Sequence, residues 1–183
     1  MLCFPRTFGA AVKKSKSPPP QSSPAGLIPG RPDLPGYGIP KDTKGLLPWS
    51  FVDQRMTRSQ AYWLCTSGSG ARPHSVPVWG VWVDGAVFWG GGADVRWARN
   101  LAANAELTVH AESGDEVVIL EGRAELIRDP EHPLLSRVSD AYHAKYKMRH
   151  PPPFWSLRPQ RVFAWTTASR FQDATRWKSK RAE

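Results

Sequence analysis

A chain of 183 residues with 40% hydrophobic side chains, nine Trp and seven Phe among them, suits one domain with a sizeable core and is not disordered overall. Its formal net charge is +9, but residues 1–30 hold Arg6, Lys13, Lys14 and Lys16 and no acid, so the remainder is only modestly basic, which suits an anionic small molecule as well as nucleic acid. No run approaches the ~18–20 apolar residues of a bilayer span. Cys3 and Cys65 alone, without ligand spacing, argue against a disulfide framework or a structural zinc; a soluble cytoplasmic protein without metal is expected.

In chain order, residues 1–30 read as a disordered basic tail, with Pro18-Pro19-Pro20 and Gln21-Ser22-Ser23-Pro24 leaving nothing to bury. Its prolines oppose the amphipathic helix of a transit peptide, and an upstream start codon would equally explain it. Residues 31–178 are then the folded domain. Residues 31–49 form an irregular apolar lead-in, and Ser50 is expected to N-cap a helix over roughly 50–60, with Asp53 as capping partner. Strands follow at 62–66 and 73–83. The Asp84-Gly85 hairpin returns the chain into Val87-Phe88-Trp89. A helix over 95–104, strands at 107–110 and 116–127, a helix from Asp129 to about Lys147, a proline break at 151–153 and a strand at 161–166 complete the pattern, with a short strand at 174–177. About six antiparallel strands with inserted helices favour a mainly β, closed-barrel architecture.

The chemistry concentrates between Arg72 and Leu101. Arg96 and Arg99 lie three apart on one face of the helix over 95–104, where unpaired backbone N–H groups and the helix dipole add to their charge, and together they suit a phosphate. The preceding Gly90-Gly91-Gly92 would let a ligand approach the backbone. The Pro77-Val78-Trp79-Gly80 segment offers backbone amides and an aromatic face beside it, although tryptophans such as Trp79, Trp82 and Trp89 are more often core than cofactor platform. His74 is a possible proton shuttle, and Cys65 fits a buried inert thiol better than a nucleophile. No P-loop, G-x-S-x-G, H-E-x-x-H or G-x-G-x-x-G pattern occurs.

Leu47-Pro48-Trp49, 62–66, Arg72-Pro73-His74 with Pro77-Val78-Trp79-Gly80, residues 96–104, Glu121-Gly122 and the closing Ala174-Thr175-Arg176-Trp177 together resemble the pyridoxamine 5′-phosphate oxidase-like superfamily. More narrowly, they are similar to its flavin/deazaflavin oxidoreductase branch. The resemblance implies an FMN-binding split β-barrel, usually a homodimer, with FMN or the deazaflavin F420 at the subunit interface. It implies that Pro77, Val78, Trp79 and Gly80 run along the ring, joined by Trp89 and Gly90, and that Arg96, Trp97, Arg99 and Asn100 meet the cofactor from the helix. One departure stands out: Val95-Arg96-Trp97 occupies the place where relatives commonly show Ser-Arg-Lys, so the phosphate would rest on Arg96, Arg99 and backbone amides. Pyridoxamine phosphate oxidation itself is not implied, since its substrate-side residues are not recognisable in 154–183.

The leading expectation is therefore an F420- or FMN-dependent oxidoreductase passing hydride to a small organic acceptor, with no catalytic side chain identifiable in advance because the ring does the chemistry. The basic surplus favours F420, whose tail is polyanionic. The alternative is a non-catalytic protein that binds or stores a flavin, F420 or haem. Nucleic-acid binding ranks last, because the aromatics fall on core-forming strands.

Overall fold

A computed structural model of the chain describes residue 23 and residues 26–179. Over them run β1 (Leu27–Gly30), α1 (Trp49–Arg58), β2 (Tyr62–Ser67), β3 (Pro73–Val78), β4 (Gly80–Val83), β5 (Ala86–Trp89), α2 (Arg96–Ala103), β6 (Glu106–His110), β7 (Glu116–Ile127), α3 (Leu135–Tyr146), β8 (Phe154–Leu157), β9 (Arg161–Thr166) and β10 (Thr175–Ser179). The main sheet has the order β1-β10-β9-β7-β6-β2-β3, and β4, β5 and β8 branch from it through β7. The paired strands are antiparallel.

The length of β7 explains the branching. Its first half pairs with β6 and β9, while Ala124–Ile127 pair with β8, so one strand belongs to two sheets. The larger core lies inside the barrel and gathers Val52, Met56, Tyr62, Leu64, Trp89, Val118, Leu120 and Trp177. A second core, with Phe88, Val138, Tyr142 and Phe154, joins β4, β5 and β8 to α3. Tyr62, Leu64 and Thr66 are buried while Trp63, Cys65 and Ser67 are half-exposed, the period of two of a strand with one buried face. This is the split barrel that the resemblance implies.

Three sequence expectations need correction. Ten strands stand where about six were expected, because Leu27–Gly30, assigned to the tail, pairs with β10, because Phe154–Leu157 adds β8, and because the run over 73–83 divides into β3 and β4. The rest of the tail, Ser23 excepted, lies outside the described residues. Ser50 does not cap α1: Pro48 precedes the first turn without a side-chain cap, and Asp53 instead accepts a hydrogen bond from Trp82 Nε1 at 3.0 Å. The third helix starts at Leu135 rather than at Asp129, whose carboxylate accepts from the Glu131 N–H and holds a turn. The Asp84-Gly85 hairpin is as predicted, with both residues at positive φ, and the bounds of β7 and β9 are those read from the sequence.

Candidate functional site

The break between β3 and β4 creates the site. Val78 still pairs with Tyr62 at the edge of the main sheet, whereas Gly80 pairs with Trp89 in the second. Trp79, between them, belongs to neither, and its ring is turned out, 57% exposed. A side chain at Gly80 would lie 2.8 Å from the Phe88 carbonyl and 2.9 Å from the Tyr62 ring, so only glycine fits there.

Three residues at i, i+3 and i+4 on α3 hold this break. Tyr142 donates its hydroxyl to the Trp79 carbonyl at 3.0 Å, and Lys145 Nζ donates to the Gly80 carbonyl at 2.7 Å. Tyr146 accepts the Gly80 N–H at 3.0 Å and donates to the Gln60 carbonyl at 2.7 Å. Its ring stacks on Trp79, with centroids 4.8 Å apart and planes 6° from parallel. Lys145 also lies over the rings of Tyr62 and Tyr146, at 4.5 and 5.1 Å. Burial lowers the Lys145 pKa to about 8, with Glu112 pulling the other way, and burial raises those of Tyr142, Tyr146 and Tyr62.

Beside the break opens a cleft of about 270 Å³, lined by Val78 and Trp79, Gly90 and Gly91, Val95 and Trp97, and Tyr142, Met148 and His150. Trp79, Val95 and Met148 are three of the six large hydrophobics exposed among the described residues, so the apolar surface converges on this place. No carboxylate lines it. A Cβ on Gly90 would fall 2.2 Å from His150 Cε1 and Nε2, and one on Gly91 2.5 Å from Trp97 Cζ2. The glycines thus make room for the protein's own rings as well as for a ligand.

Of the residues that the sequence nominated, Val78, Trp79, Gly90 and Trp97 meet in this cleft. Arg96 and Arg99 are exposed on the first turns of α2, beside the Val95 and Trp97 that form one wall. Arg96 has no hydrogen bond or ion pair among the described residues, while Arg99 turns back to the Asp94 carbonyl. The others are occupied elsewhere. Pro77 lies opposite Trp63 on the other face of β3, and Gly80 is closed in by Phe88 and Tyr62. Trp89 is fully buried in the barrel core, so it has no surface to offer a ligand. Asn100 donates its amide to Thr66 Oγ1 at 3.0 Å. Trp97 is mostly buried, edge-on to Trp89 and Trp155 at 6.4 and 6.3 Å, which packs it between strands and leaves one edge for the cleft.

Sequence reasoning missed the whole α3 contribution. The spacing of Tyr142, Lys145 and Tyr146 was visible, but only the tertiary fold brings that face to residues 79–80. His74 pairs with Thr66 at the far end of β3. Cys65 Sγ lies 2.9 Å from Ser75 Oγ, with no base hydrogen-bonded to it. Among the described residues no His, Cys, Asp and Glu group suits a metal, and no helix is long and apolar enough to cross a membrane.

A family model described as pyridoxamine 5′-phosphate oxidase matches residues 51–173. No curated protein matches the chain significantly. Among solved structures, a conserved hypothetical protein from Mycobacterium tuberculosis is similar over 68% of this chain and 88% of its own, at 20% identity and a TM-score of 0.59. A putative 5-nitroimidazole antibiotic resistance protein from Bacteroides thetaiotaomicron is similar over 83% and 89%, at 11% identity and 0.54. The heme storage protein HutZ from Vibrio cholerae is similar over 62% and 91%, at 16% identity and 0.50. These likenesses are likenesses of fold.

Proposed function

The chain belongs to the pyridoxamine 5′-phosphate oxidase family, and from that premise we propose that it is a homodimeric F420- or FMN-dependent oxidoreductase. The observation that supports this best is the cleft: an apolar slot with an exposed, rigidly stacked tryptophan on one side and the amino end of a helix with an unpaired arginine on the other. Such a slot suits a flat ring system attached to an anionic tail. Trp79, Val78 and Trp97 would hold the ring, and Arg96, Arg99 and the free N–H groups at the start of α2 would hold the phosphate. Bound there, the cofactor supplies two electrons and a hydrogen as hydride. The protein's part is to orient the ring, to exclude water with Val95 and Met148, and to keep the Trp79–Gly80 backbone fixed through α3.

The same fold serves heme storage in the V. cholerae protein, so retention without turnover is the second reading, and the Val95 and Trp97 departures at the phosphate end favour it. One experiment addresses both. Oxidised or reduced F420, FMN and, in a parallel arm, haemin are titrated against purified protein while tryptophan fluorescence is followed. F420 or FMN is expected to quench it, and Arg96→Ala to weaken that binding by about tenfold, equivalent to ~1.4 kcal/mol. Failure of both to bind at tens of micromolar ends the oxidoreductase reading. Binding without any oxidation of the reduced form by enone, quinone or tetrapyrrole acceptors selects the storage reading.

A further inference from the structure

We propose that His150 is the catalytic proton donor of this cleft, serving an acceptor of the enone or quinone class; the inference rests on the oxidoreductase reading above. The cleft has two titratable side chains, Tyr142 and His150. Tyr142 has committed its proton to the Trp79 carbonyl at 3.0 Å, and burial keeps that hydroxyl protonated. His150 remains.

Its geometry specifies which form can act. Nδ1 lies 2.6 Å from the Pro151 carbonyl oxygen, a distance that requires a hydrogen on Nδ1, since two acceptors would repel. Neutral His150 therefore has a bare Nε2, and only the imidazolium presents an Nε2–H. The ring is wedged against Tyr142 and Phe154, at centroid distances of 5.4 and 5.1 Å, and its Cε1–Nε2 edge abuts Gly90 on the wall of the cleft. The charged groups around it are otherwise engaged. Arg149 pairs with Asp140 at 2.8 Å, and Lys145 and Tyr146 bind residues 60 and 80. At the start of α2 only Val95, just before the helix, and Trp97 line the cleft, with Arg96 exposed between them, while Gly90 follows β5 and Phe154 opens β8.

The chemistry balances with one proton. An enone takes hydride at its β-carbon, forming a C–H bond as the C=C π pair shifts toward oxygen and leaving the cofactor oxidised. The enolate so formed accepts the Nε2 proton, and the neutral imidazole regains one from solvent. A quinone differs only in receiving the proton on oxygen.

The test uses full-length protein with reduced F420 and reduced FMN, and cyclohexenone and menadione as acceptors. Cofactor affinity is followed by tryptophan quenching and turnover by cofactor reoxidation. His150→Gln should hold affinity within about twofold and lower turnover by about 10²-fold. Gly90→Ala, which must push the ring aside, should act in the same direction with the imidazole still present. Unchanged turnover in His150→Gln, beside an active parent, overturns the proton donor alone. A loss of affinity that matches the loss of rate does so too, because it makes His150 a holder of the cofactor. A parent that binds neither cofactor, or never reoxidises it, removes the oxidoreductase reading and the donor with it.

Discussion

Gly90 and Gly91 determine the walls of the cleft by what they lack. Gly91 has φ +152°, and the missing methyl is the space into which the Trp97 ring reaches. The sequence presents three consecutive glycines as equivalent, and it suggests that their room is for a ligand; in the fold two of them are filled by His150 and Trp97, and Gly92 faces open space. That difference is invisible in sequence because the filling rings come from positions 97 and 150. It predicts unequal substitutions. Gly91→Ala forces a strained backbone and a clash with a buried indole, and should lower unfolding stability by about 1–3 kcal/mol. Gly92→Ala should leave it within about 1 kcal/mol of the parent or slightly raise it, through the lower entropy of the unfolded chain. Urea midpoints of the two variants decide it, and equal midpoints would refute the packing role of Gly91.

Helix α3 shows how an element can be legible while its task is not. The run from Leu135 to Tyr146 has a helical pattern, but nothing in it announces that Tyr142, Lys145 and Tyr146 meet a strand break more than sixty residues upstream. The second of these contacts makes a pH prediction. Lys145 titrates in the folded chain at about 8 because burial disfavours its charge, whereas an unfolded lysine titrates near ~10.4. Between those values the unfolded state binds more protons, so stability rises with pH from about 8 to about 10. Below 8 both states are charged and the penalty is constant. Above about 10 the sign reverses, because unfolded tyrosines ionise while burial keeps Tyr62 and Tyr142 protonated. Lys145 is partly exposed, and solvent screening holds the gain below about 1 kcal/mol. Thermal midpoints at intervals over this range should rise in the parent and stay level in Lys145→Met. A parent curve as level as the variant's would contradict the burial of this ammonium.

At the scale of the molecule, the barrel class was legible because β2, β7 and β9 are runs rich in aliphatic and aromatic residues bounded by turn signals, and the Asp84-Gly85 turn is unambiguous. The number of strands was not. β1 follows a proline-rich tail and gains its strand character only from pairing with β10, and the β3–β4 break depends on α3. The alternating burial along these strands leaves one face of the main sheet in need of explanation. Opposite the buried Val118, Leu120, Val162 and Leu64 lie Val117, Ile119, Phe163 and Trp63, half-exposed, with Trp63 stacked on His110 at 6.3 Å. Ile119 and Phe163 are direct cross-strand neighbours in the β7–β9 register, and the residue 171 ring covers only Trp165 beside them. Four large apolar side chains in one band are more than a solvated sheet face normally shows. In the proposed homodimer this band meets its counterpart across a two-fold axis, where a stable interface buries about 800 Å² per partner. Sedimentation at tens of micromolar should then give twice the chain mass. Phe163→Asp and Ile119→Lys each place two charges at the axis and should shift the protein to the single-chain mass while its far-ultraviolet dichroism is unchanged. A parent that sediments as a monomer rejects the dimer; variants that remain dimeric place the interface on another face and return this band to solvent.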